Sequence, residues 1–190
     1  MNRIEAEARP FLTPLIEGTP IVLDHTQMAS VARWIALKTM VIEHATPGTA
    51  VTTSALRSAF RLRGEIPPYF NIYLGSHAGG QWAALFRDSR CISYKGTEID
   101  PPLGDAPNNV QSVTMYLGKV FAYVNAARVN DFTIEKGLTI PKLYRQRIWP
   151  FMNHEMVWPS EPVFTVAQVN DIANGLARLF KVVTTGWLPL

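Results

Sequence analysis

The side chains with chemistry to offer in this sequence are four histidines, one cysteine, a lysine set into an apolar stretch, and arginines interleaved with aromatics. His25, His44, His77 and His154 fit no HxxxH, HExxH or Cys-His spacing, so neither a metal site nor a cofactor is expected. Cys91 lies in a stretch that reads as a strand, where a buried, inert thiol is the expectation. Lys38 sits inside an apolar helix, four residues after Trp34. Glu43 lies off its helical face, so Lys38 is the candidate buried charge of the chain. Its ammonium must either snorkel to the surface or meet a carboxylate from another segment.

Two stretches mix cations with rings. "FRDSRCISYK" sets Arg87 and Arg90 beside Phe86 and Tyr94, and "KLYRQRIW" sets Arg145 and Arg147 beside Tyr144 and Trp149. Arg87, Arg90, Arg145 and Arg147 are the candidate phosphate contacts, with Tyr94 and Tyr144 as stacking partners for bases. The same mixture equally suits ordinary sheet edges, where cations discourage aggregation. Other chemistries lack parts. "IYLGSHAGG" offers a strand and an HGG-like loop, but no GxSxG elbow accompanies it. There is no GxxxxGK[ST] or GxGxxG phosphate loop.

Composition sets the frame. The chain has 190 residues, 47% hydrophobic and 17% charged, which is the make-up of one globular domain over residues 1–190. Its 18 basic and 15 acidic residues leave a net charge of +3, which permits a nucleic-acid partner without demanding one. A lone cysteine excludes an intrachain disulfide and fits a cytoplasmic location. The opening stretch is acidic, with no apolar run behind it, so no signal peptide is expected. The most membrane-like window, "VQSVTMYLGKVFAYVNAA", carries Gly118 and Lys119 at its middle and β-branched and aromatic residues throughout. It reads as two strands joined at "LGK", with no membrane partner.

The elements that must position these residues follow from spacing. Ile4, Ala8, Phe11, Leu12, Leu15 and Ile16 mark an amphipathic N-terminal helix that Pro10 and Pro14 kink or split, with Gly18 as its C-cap. "TPIVL" is a short extended segment. Asp24 and Gln27 form a capping box for the apolar helix "MASVARWIALKTMVIEHA", which belongs at the domain centre and ends at "TPGT". Thr53 or Ser54 caps "SALRSAFRLRG", closed by Gly64. The period then changes to that of strands: "YFNIYLG", "QWAALFRD", "CISYKG", "VQSVTMYLG" and "KVFAYVNAA", with "SHAGG" as a hairpin loop and "DPPLGDAPNN" as a longer surface loop. "PKLYRQRIWPF" is either a helical turn or an edge strand. Thr165 caps a final helix. The fold class is α+β: an antiparallel β-meander sheet packed with a central buried helix and with N- and C-terminal helices.

The order of "RPFLTPLIEG", "VARWIALKTMVIE", "IPPYFNIYLG", "NNVQSVTMYLGKVFAYV", "RIWPF" and "VWP" resembles the region downstream of the nuclease motif in bacterial HNH endonuclease family proteins, over roughly residues 3–180. In that pattern Met1 corresponds to an internal position of a longer architecture. The resemblance implies an accessory, nucleic-acid-associated domain, with DNA or RNA and an HNH nuclease module as partners. It carries over no catalytic residue. None of the four histidines sits in a ββα-metal unit, and Asn108 and Asn109 lack flanking histidines. The expectation is therefore a domain without a nuclease site of its own. The alternative is a protein-interaction or structural domain with no nucleic-acid role.

Overall fold

The computed structural model describes residues 3–79, 83–92, 104–128, 146–151 and 155–178. Helix α1 (Arg3–Glu17) is one element that includes Pro10 and Pro14, a correction to the expected split into two pieces. The prolines, four apart, lie on one side of the helix, while Ala8, Leu12 and Leu15 bury the other side and hold the register. Gly18, at φ 79°, ends it, and the Thr19 N–H closes back on the Pro14 carbonyl at 2.9 Å. Strand β1 (Ile21–Asp24) leads directly into α2 (His25–Ala45). Asp24 and Gln27 form the expected capping box, satisfying two helix-end donors reciprocally. A short 3-10 turn (Pro47–Thr49) follows, then α3 (Ser54–Arg63), capped by Thr53 and closed by left-handed Gly64.

The strands are β2 (Phe70–Ser76), β3 (Ala83–Arg90), β4 (Val110–Leu117), β5 (Val120–Ala127), β6 (Arg147–Trp149) and β7 (Glu155–Trp158), followed by helix α4 (Val166–Ala173). Five of them form an antiparallel sheet in the order β3-β4-β5-β2-β6, while β1 and β7 pair as a separate ribbon. The fold is thus α+β with a meander at its heart, and the membrane-like window is the β4–β5 hairpin turning at Gly118 and Lys119. No helix among the described residues is long and apolar enough to cross a membrane.

Two expectations are corrected. "SHAGG" does not close a β2–β3 hairpin. Strand β2 pairs with β5 and β6, and β3 lies at the opposite edge. His77 instead bridges Phe164 in parallel. The reason is burial: Phe70, Ile72 and Leu74 need an interior place in the sheet, whereas β3 carries Arg87, Asp88 and Arg90 and tolerates an edge. Cys91 stands exposed just past the end of β3, not buried within a strand; residues 93–96 of "CISYKG" lie outside the described residues. "RIW" takes the edge-strand option, pairing with β2.

The sheet has two covered faces. One meets α1, α2 and α3 through Ile72, Leu74, Val113, Met115, Ala122 and Val124. The other gathers Tyr73, Tyr116, Phe121 and Tyr123 under Phe164, Val169 and Ile172. Burial on both faces explains why β4 and β5 read as near-continuous apolar runs.

Candidate functional site

Lys38 meets Glu5 of α1 at 2.6 Å and lies over the Trp34 ring at 5.4 Å. The partner is a carboxylate from another segment. Both side chains stay about one-third exposed (34% and 35%), so water screens the pair. Lys38→Met should therefore lower stability by less than about 1 kcal/mol, read as a small shift in the urea midpoint; a loss several times larger would show that the pair anchors α1.

A deeply buried carboxylate is Glu43, just over one turn beyond Lys38 and fully enclosed. The Thr52 N–H and hydroxyl donate to its two carboxylate oxygens at 3.1 and 3.0 Å. Gln111 Nε2 of β4 donates to Oε1 at 2.5 Å, and Arg57 Nη1 of α3 approaches Oε2 at 3.5 Å. A single carboxylate thus ties the end of α2 to the following loop, to α3 and to the sheet. Asp105 joins the rim: it accepts the Ser54 N–H at 3.0 and 3.1 Å and lies 3.9 Å from Arg57. The Ser54 bonds hold its carboxyl below the usual carboxylate range. Nearby, Tyr69 is pushed up to about 12, first by burial.

Arg87 belongs to this network. Its guanidinium donates to Gln111 Oε1 at 3.0 Å, to the Thr49 hydroxyl at 2.7 Å and to the Thr49 carbonyl at 2.6 Å. It lies on the α2 side of the sheet and staples the 46–49 loop. Burial pulls its pKa down, and the charges of Glu43 and Asp88 oppose that pull.

Arg90 and Arg147 point the other way. Alternation along β3 places Asp88 and Arg90 on the second face, opposite Ser112 and Val110. Arg147 stands opposite Tyr73 and donates to Asn71 Oδ1 at 3.3 Å, also on the second face. Strands β3 and β6 are the two edges of the sheet. Four interstrand steps separate them, roughly 19 Å at about 4.8 Å each. The candidate arginines are therefore not gathered into one patch: Arg87 turns inward, while Arg90 and Arg147 flank one face. Arg90 also contacts Asp88 at 3.1 Å. Tyr94, Tyr144 and Arg145 lie outside the described residues.

Between those edges runs a polar row that sequence patterning missed. Register aligns Asp88 with Ser112, Ser112 with Asn125, and Asn125 with Asn71. The next row holds Thr114, Tyr123 and Tyr73. "VQSVTM" and "YVNAA" carry these residues at alternate positions, a signal masked by the apolar ones between them. His77, singled out within "SHAGG", is buried at the end of β2. Its Nδ1 accepts the Gly79 N–H at 3.2 Å, and its ring meets Tyr116 edge-on at 5.1 Å. Burial lowers its pKa. Among the described residues no group of three His, Cys, Asp or Glu side chains could hold a metal. Set against protein-family models, curated proteins and solved structures, the chain matches none.

Proposed function

We propose that this chain is an accessory domain of an HNH-nuclease-like system, holding nucleic acid for a nuclease module carried elsewhere and supplying no nuclease chemistry itself. The order of motifs motivates the nuclease connection. The observation that carries the nucleic-acid role is the placement of Arg90 and Arg147 on one face at opposite edges of the sheet. Two guanidiniums so spaced can take separate phosphates of one strand, and guanidinium forks suit phosphate oxygens. The working compartment is the cytoplasm, where an exposed lone thiol such as Cys91 stays reduced.

The test is fluorescence polarisation with labelled single- and double-stranded oligonucleotides as salt rises from about 50 to about 200 mM. The parent should bind at low salt and lose affinity steeply as salt rises. Arg90→Ala with Arg147→Ala should weaken binding across sequences and reduce the salt slope by about one per lost phosphate contact. A double variant that binds like the parent, or a parent that binds nothing at low salt, removes this reading. A second reading, docking onto a protein, then takes its place. It is favoured by Val22 and Val157, a cross-strand pair on the outward face of the β1–β7 ribbon, 53% and 61% exposed.

A further inference from the structure

Ser112 and Thr114 of β4 face Asn125 and Tyr123 of β5 in two neighbouring cross-strand pairs. All four residues are at most 3% exposed. Ser112 Oγ, Thr114 Oγ1, Tyr123 OH and Asn125 Oδ1 nevertheless have no hydrogen-bond partner among the described residues. One such atom in a protein interior is ordinary. Four together on one face of adjacent strands are not, because buried polar groups are nearly always paired and each unmade bond is destabilising. Valine, leucine or phenylalanine would suit the strands and the neighbouring aromatic cluster better. The polar types therefore need a reason other than packing.

We propose that this band is a binding site for an unstacked nucleobase, with the phosphate of the same strand at Arg147. The inference rests on the nucleic-acid reading above and names its site. Three hydroxyls that donate or accept, beside an amide carbonyl that accepts, match the edge of a neutral heteroaromatic ring carrying both donors and acceptors. Tyr73 and Tyr123, with ring centroids 5.9 Å apart, line the same face and offer flat apolar surface to such a ring. Asn71 continues the row from Asn125 to the Arg147 guanidinium. A purely ionic ligand would leave the neutral band unused.

The face is closed in this structure. Phe164, Val169 and Ile172 pack in the same cluster as Tyr73 and Tyr123. Residues 160–178 are held by hydrogen bonds between Ser76 and Ser160 (Ser160 N–H to Ser76 Oγ, 2.8 Å) and by Phe164 and Ala78 pairing along the backbone. Entry of a base requires this arm to shift. The band supplies the differential affinity that such a shift needs, since its hydrogen bonds are available to the ligand and unmade in the closed state.

The experiment compares a labelled mixed-sequence single strand with an abasic strand of equal length. The parent should bind the base-bearing strand about tenfold more tightly. Thr114→Val with Asn125→Leu should melt above the parent, because orphaned polar atoms are gone. It should lose that tenfold preference and bind the abasic strand as the parent does. Tyr123→Phe, which removes a single hydroxyl, gives the same comparison if the double variant fails to fold. Equal affinity of the parent for the two strands, or an unchanged preference in either folded variant, overturns the site while leaving the arginine reading standing. A parent that binds neither strand at low salt overturns both.

Discussion

Glu43→Ala should destabilise the fold by about 3–5 kcal/mol, the usual consequence of removing one partner from an enclosed charge network. The carboxylate receives bonds from Thr52, Gln111 and Arg57. Deleting it strands an amide N–H, a hydroxyl and a side-chain amide inside the fold, while the partly exposed Arg57 guanidinium keeps the Thr52 carbonyl. Glu43→Gln keeps the volume but turns one acceptor into a donor that faces other donors, so it should recover only part of the loss. Arg57→Ala should cost less than Glu43→Ala, because its contact is long, at 3.5 Å, and its side chain is 23% exposed. Urea unfolding of the three variants checks the order. An alanine variant within about 1 kcal/mol of the parent would show that Glu43 is not the junction of the network.

The second large effect belongs to Gly118. The β4–β5 turn places it at φ 60°, and an added Cβ would stand 2.3 Å from the Ile16 carbonyl oxygen. The same carbonyl accepts the Lys119 N–H at 2.8 Å, so this turn is where the hairpin docks on the end of α1. Gly118→Ala therefore combines left-handed strain, about 1–2 kcal/mol, with the loss or distortion of that bond. A total near 3 kcal/mol is expected. Gly64→Ala, also left-handed at φ 70° but with only Arg33 side-chain atoms at 3.7 Å, should show the strain alone. Gly48→Ala, which meets open space, should be close to neutral. Thermal melts of the three alanine variants test the ranking; Gly118→Ala no worse than Gly64→Ala would mean that the Ile16 contact adjusts freely.

What could be read beforehand was local. The Asp24–Gln27 capping pair and the Thr165 cap announce helix starts because the bonded groups lie three residues apart; the reciprocal bond from Gln168 to Thr165 emerged only in the structure. Gly64 and the "LGK" turn are legible for the same reason. Strand order was not legible: placing β2 beside β5 depends on which strand most needs two covered faces, a property of the whole core. Lys38 drew notice because a charge interrupts an apolar helix, yet its Glu5 partner could be specified only as a carboxylate from elsewhere. Glu43 escaped notice because its donors come from a loop, another helix and a strand. The arginines looked like one patch because "FRDSR" and "YRQRIW" are alike in composition. Composition says nothing of which sheet edge each occupies.

The position of β2 also shapes how the protein is made. A chain leaving the ribosome delivers residues 70–76 well before β5 and β6, the strands that flank them. Until residue 127 has emerged, β2 has no neighbour to accept its backbone groups, and the apolar side of α2 has no sheet to close on. β3, β4 and β5 can zip together as they appear, through short-range pairing, but the interior place between β5 and β6 is filled by a strand synthesised earlier. A nascent chain paused ahead of β4 therefore holds a sticky, unpaired strand beside an uncovered helix. Translation speed across residues 77–127 governs how long that intermediate lasts.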